Sequence, residues 1–276
     1  MNVKQIKGML GAMAITSLAS LACALTVSTV RAQDHGLATK MAIDLGATLT
    51  HYEYKEPGLA TIKGVKVGFD VSGTYVFGSQ WPDRNKGWFV RGDLRYATGK
   101  TDYSSGISGS IDNLKDWYYE VLGVIGKDFD QGSYVLAPYV GLGYRHLEND
   151  LRGVSTTGAR GYRRESNYTT LPIGVVHKMK LSSQVQLHTT LEYSHLLRGQ
   201  QEAKLSDVGL AFTDVSLRQR KGYGLRLGTM AKFDQWSVGP MVSVWRIKAS
   251  EIGGTPPVFE PKNNTVEFGI KAAYHF

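Results

Sequence analysis

Eleven charged residues share a spacing with chemical consequences: at a two-residue period, Asp44, Asp70, Asp93, Glu120, Glu192 and Glu267 fall on the same face as Arg91, Arg95, Arg145, Arg226 and Lys271. Six acids against five bases nearly cancel. In a narrow interior such charges must pair or stay hydrated, because an isolated buried charge is very costly. Paired, they close the interior; hydrated, they line a weakly selective path for ions. Hydrolytic chemistry has less to work with. A His-x-Ser pair would put base and nucleophile on one strand face, and none occurs; the nearest arrangement, His188-Thr189-Thr190, falls mid-strand and inward. His51, His146 and His195 fall near strand ends beside Glu53, Glu148 and Asp150, types that ligate a metal or act as a general base. Their strands are not neighbours, so neither a metal site nor a cofactor is expected. Between strands lie Arg152, Arg160, Arg163, Arg164, Arg198, Arg218, Arg220 and Lys221, which suit phosphate groups through charge-assisted hydrogen bonds.

Such chemistry requires elements that hold side chains on one surface. In Val266–Phe276 one face carries Val266, Phe268, Ile270, Ala272, Tyr274 and Phe276, and the other Glu267, Gly269, Lys271, Ala273 and His275. Tyr223–Phe233 and Val65–Phe77 repeat the pattern. Segments of this kind fall at 40–54, 62–78, 87–99, 114–127, 133–147, 165–179, 184–198, 221–233, 236–249 and 265–276. Most run beyond about 10 residues, the length a tilted strand needs to cross a bilayer. Their connections alternate: short at 79–86 (with Pro82-Asp83), 128–132, 180–183 and 234–235, longer at 55–61, 100–113, 148–164, 199–220 and 250–264. The expected fold is all-β, a single up-and-down antiparallel barrel of about ten strands over residues 33–276. Closure satisfies the backbone groups that lipid cannot. Inward glycines, Gly46, Gly68, Gly141, Gly143, Gly224 and Gly228, leave room for long charged side chains. Loop 199–220, with its apolar Leu205, Val208, Leu210 and Phe212, could fold inward, extend a hairpin or meet a partner.

Residues 1–32 read as a cleaved export signal: Lys4 and Lys7 precede an uncharged run from Gly8 to Val30, and Val30-Arg31-Ala32 ends in a small residue. The only cysteine, Cys23, lies inside it, so the mature chain has no disulfide. Of the net +8, three bases sit in this leader, which leaves 29 bases against 24 acids, +5, dispersed along the rest. That excludes a nucleic-acid partner.

With an export signal, alternating strands and a terminal Tyr274-His275-Phe276, the chain resembles a bacterial outer-membrane β-barrel protein. The resemblance implies that Tyr274 and Phe276 form the signal read by the barrel-assembly machinery, and that the loop bases meet lipopolysaccharide. Ten strands is also the count of omptin-type surface proteases. These use Asp-x-Asp and Asp-x-His pairs at the outer rim. This sequence has no Asp-x-His, and its one Asp-x-Asp, Asp128-Phe129-Asp130, falls on a short inner turn. The expectation is a monomeric, non-enzymatic barrel with a structural or surface-interaction role and an interior closed by salt bridges. A narrow porin-like channel for ions or small solutes is the alternative. A surface hydrolase with a site at the outer rim is a third reading.

Overall fold

Two-residue alternation along the chain folds into ten long strands among the described residues: β1 (Ala42–Glu56), β2 (Ala60–Val76), β3 (Trp88–Ser105), β4 (Gly109–Lys127), β5 (Tyr134–Val154), β6 (Arg160–Lys180), β7 (Val185–Ala203), β8 (Gly222–Phe233), β9 (Trp236–Ile247) and β10 (Asn263–His275). The computed structural model describes residues 36–77, 87–255 and 257–276. The expected leader and the Pro82-Asp83 turn lie outside them. Each strand pairs antiparallel with its sequence neighbour, β7 pairs β8, and β10 returns to β1, from Asp44↔His275 to Lys55↔Asn264. The sheet is a closed barrel, and no long edge is left to be satisfied by water.

One face of every strand is apolar and exposed, as in Leu45, Leu49, Val67, Leu94, Val121, Leu142, Ile173, Leu191 and Ile270. Aromatic rings border this band on both sides. Trp117 lies between Tyr96, Tyr119 and His146 at ring separations of 6.1, 6.2 and 5.1 Å on the loop side. Tyr274 sits 5.0 Å from Trp236 and 4.8 Å from Phe276 on the turn side. An apolar belt between aromatic girdles is the surface a barrel presents to lipid.

The strands run further from the membrane than their periodicity suggests. Connections expected as loops at 55–61, 100–113 and 148–164 are mostly strand, closed by turns at 57–59, 106–108 and 155–159. In the first, Pro57 precedes Gly58 at φ +81°, and Leu59 N donates to Glu56 O at 2.9 Å, a type II turn that needs a residue without Cβ at its third position. Register shifts explain the early end of the sequence signal. Asp112 and Asn113 face the single Asp102, Leu151 and Arg152 face Tyr162, and Leu197 is an extra residue between the pairs Thr169↔Arg198 and Thr170↔Leu196. A bulge inserts one residue, so strict alternation breaks there although pairing continues. Loop 199–220 takes its hairpin form: Val215–Gln219 pairs with the end of β7, after a short 3-10 turn at Leu205–Asp207.

Before β1, the chain lies against the turn-side interior. Leu37 is buried, and Thr39 donates through both N and Oγ1 to the Asp128 carboxylate, the latter at 2.8 Å. Lys178 Nζ reaches Asp128 at 3.0 Å.

Candidate functional site

The interior is filled in layers. Nearest the turns, Phe89, Val124, Ala137, Tyr139 and Val176 pack as an apolar floor. Above it, β4 points Glu120 into the middle of the barrel, where three guanidinium groups converge. Arg145 Nη1 donates to Oε1, while Arg226 Nη2 and Arg95 Nη1 reach Oε2 at 2.5 and 3.4 Å. Arg95 Nε also donates to Asp70 at 2.7 Å, and Lys271 Nζ lies 3.3 Å from the same oxygen. Arg226 reaches Glu192 at 3.2 Å, which accepts Tyr139 OH at 2.8 Å. Tyr139 fits because it faces Gly174: a Cβ there would stand 2.4 Å from its Cζ. Glu267 accepts Tyr118 OH at 2.8 Å and Thr50 Oγ1 at 2.7 Å. Arg91 pairs with Asp93 at 2.9 Å, and Asp44 with His275 at 2.6 Å.

All eleven inward charges therefore lie on the interior face, and each has a partner of opposite charge or a hydrogen-bond donor. The sequence reading omitted the most deeply buried ion pair. Lys66 Nζ donates to Asp116 at 2.5 Å, Asn149 Nδ2 to the other carboxylate oxygen at 2.6 Å, and Lys66 is fully buried 3.6 Å above the Tyr52 ring. Lys66 shares its face with Asp70, and Asp116 with Glu120, so parity alone could have found both. Also missed were the inward aromatics. Tyr168, Leu196, Trp245 and Ile247 form one cluster, and Tyr52, Tyr54, Ile62, Leu114 and Leu151 another. Sequence reasoning had assigned large apolar groups to the outer face.

The basic candidates divide into four kinds. Arg164 is corrected: it is buried inside the loop-side barrel, where it pairs with Glu260 and, at 2.5 Å, with Glu56. It follows Arg163 on β6, so strand alternation turns it inward. Arg152, Arg163 and Arg220 are engaged by Asp150, Asp207 and Glu251, the first two at 2.7 and 2.9 Å. Hydrogen bonds from Arg152 and Arg163 hold Asp150 and Asp207 below the ordinary carboxyl range. Among the described residues Arg160 reaches only the Val208 carbonyl, at 3.5 Å. Arg198, Arg218 and Lys221 carry no carboxylate partner among the described residues, and Arg198 and Arg218 border a surface depression with Glu251. The three rim histidines are not brought together. His51 lies against Phe268 at 5.3 Å, His146 against Trp117 and Tyr119, and His195 against Tyr193 at 6.3 Å, all on the outward face. Tyr274 and Phe276 meet edge to face at the turn-side rim, and Phe276 is exposed.

A family model, the autotransporter beta-domain, matches residues 40–243. The chain belongs to that family. Solved barrels similar to this autotransporter β-domain include the outer membrane protease OmpT from Escherichia coli, at TM-score 0.56 and 10% identity over 85% of this chain and 97% of that one. The translocator domain of autotransporter NalP from Neisseria meningitidis aligns at TM-score 0.43 and 12% identity, over 99% and 98% of the two chains. Ail, the attachment invasion locus protein of Yersinia pestis, aligns at 0.35 and 12%, over 86% and 100%. At these identities the likeness to OmpT is one of fold. Among curated proteins none matches the sequence. The β-domain is an outer-membrane barrel, and its exposed apolar belt faces the lipid of the bacterial outer membrane.

Proposed function

We propose that this autotransporter β-domain is a non-conducting, non-enzymatic barrel, monomeric in the membrane, which holds an interaction surface at the cell exterior. One observation carries the reading: Glu120, Arg95, Arg145 and Arg226 meet at the centre of the lumen. Ionic layers and the apolar clusters on either side leave a cavity of about 440 Å³ at the turn-side mouth and one of about 370 Å³ at the loop side. The interior of a barrel of this size can be filled by side chains, whereas open aqueous channels are typical of 16 or more strands. The strands of β5 and β6 extend well beyond the aromatic girdle, which suits a surface role better than a minimal pore. Arg160, Arg198, Arg218 and Lys221 are the bases left to meet lipopolysaccharide phosphates. Dispersal of the rim histidines among aromatic rings supports the non-enzymatic part of the proposal.

Ion conductance of the refolded mature chain in a planar bilayer tests it. The expected result is silence from a barrel shown to be folded. Stable stepwise currents, with ion selectivity altered by substitution of Arg95 or Glu120, would instead establish the narrow channel.

A further inference from the structure

At the loop-side end of the lumen, two acids share one base. Arg164 Nη2 lies 2.5 Å from Glu56 Oε1 and also contacts Glu260 Oε1, while Tyr54 OH stands 3.0 and 3.2 Å from the same two oxygens. Every short contact falls on Oε1. The second oxygen, Oε2, of each carboxylate accepts nothing from the protein among the described residues, although both side chains are more than nine-tenths buried, at 9% and 8% exposure. Glu56 and Glu260 line the same cavity, of about 370 Å³, with Tyr103, Tyr162 and Phe259 contributing aromatic wall. Arg160 also borders it, but is exposed and donates to the Val208 carbonyl. Burial pushes the Glu260 carboxyl above its ordinary value, and Glu56 adds to this against the pull of Arg164. With both carboxylates ionised the pair carries one negative charge more than Arg164 offsets, a state that burial opposes and a second cation would favour.

We propose that this cavity is a cell-surface binding site for a small organic cation, an ammonium or guanidinium head on a short apolar stem. The head would sit between the two free Oε2 atoms, where a charge-assisted hydrogen bond to each is unopposed by any protein donor. Aromatic side chains add attraction for a cation and contact for its stem. A cavity of this volume takes a ligand of roughly ten heavy atoms, at the lower end of small-molecule sites. An anionic ligand would meet two carboxylates, with Arg164 already engaged by both and Arg160 turned to the Val208 carbonyl, so a cation is favoured over it. The inference gives the surface-interaction reading a ligand class, but it rests on the loop-side cavity and not on lumen closure. A conducting barrel would overturn the earlier reading and leave this one standing.

Calorimetric titration of the refolded full barrel in detergent with agmatine, which carries both head groups on a four-carbon stem, tests the site. Saturable binding is expected for agmatine and none for adipate, an anion of similar length. Glu260→Gln and Glu56→Gln should each weaken agmatine binding about tenfold or more, while Glu251→Gln, outside the cavity, should not change it. Hydrogen exchange of the unmodified protein gives a readout independent of variant folding: agmatine should slow exchange around residues 56–60, 160–164 and 257–262. Absence of saturable binding to the folded barrel, equal uptake of adipate, or unchanged affinity in both glutamine variants would overturn the proposal.

Discussion

Glu120 is the residue on which the interior depends most. Arg95 has a second acid in Asp70 and Arg226 one in Glu192, but Arg145 pairs with no other carboxylate among the described residues and otherwise rests against the rings of Tyr118 and Trp245, at 4.2 and 5.3 Å. Glu120→Gln should therefore strand Arg145, at a cost of about 3 to 5 kcal/mol. The double change Glu120→Gln with Arg145→Leu should cost less than the single one, because no cation is left unpaired. Urea midpoints of the four species check this, and a double variant weaker than the single would contradict it. A second residue-scale expectation concerns Asp207, which Arg163 holds below the ordinary value of 3.8. Its folded-state value is depressed, so its contribution is present above 3.8 and lost as pH falls through the lower folded value. Acidification should release the 204–214 loop from β6, and Asp207→Asn should do so at neutral pH. Loop cleavage by an acid-active protease against pH, and by trypsin in the variant, measures this; unchanged cleavage in both would refute it.

At the scale of elements, bulges let the hairpins continue past the membrane. Leu197 and Arg198 both face outward, after which Gly199, Gln201 and Ala203 return to the interior. Deleting Leu197 should restore plain alternation with every inward residue still inward, so the barrel should still fold. Deleting Val121 from β4, which has regular pairing around it, should instead swing Glu120, Tyr118 and Asp116 onto the lipid face and abolish folding. The shift in gel mobility between folded and heated barrel separates the outcomes. Equal tolerance of the two deletions would be incompatible with this account of register. These bulges also show why the strand ends were illegible: the expected segments stop at 198 and begin at 114, beside the extra residues Leu197 and Asp112–Asn113.

For the whole molecule, closure joins β1 to β10, which is the last strand made and must find the first. Phe276 N donates to Ile43 O at 2.9 Å, while the Phe276 ring stays exposed beside Tyr274. So exposed a ring adds little to the finished barrel. We expect Phe276→Ala to leave refolding in detergent and the unfolding midpoint nearly unchanged, within about 0.5 kcal/mol, and to lower the yield of barrel inserted in cells. Comparable losses in both settings would assign Phe276 a packing role in place of one in assembly.

The alternation of apolar and polar residues was enough to determine an all-β barrel of about ten strands, the lipid-facing side and the eleven inward charges, because a two-residue period makes facing a local property of the chain. Which acid meets which base was not local. Lys66 and Asp116 are 50 residues apart, and Tyr118 and Glu267 are 149 apart. The inward aromatics followed no separate pattern, since the lumen of a narrow barrel accepts apolar groups as readily as paired charges. Arg164 shows the same limit. Its charge and its neighbours in sequence suggested a solvent-facing loop, and only the extension of β6 beyond the membrane turned it inward, between two acids contributed by the end of β1 and the loop before β10.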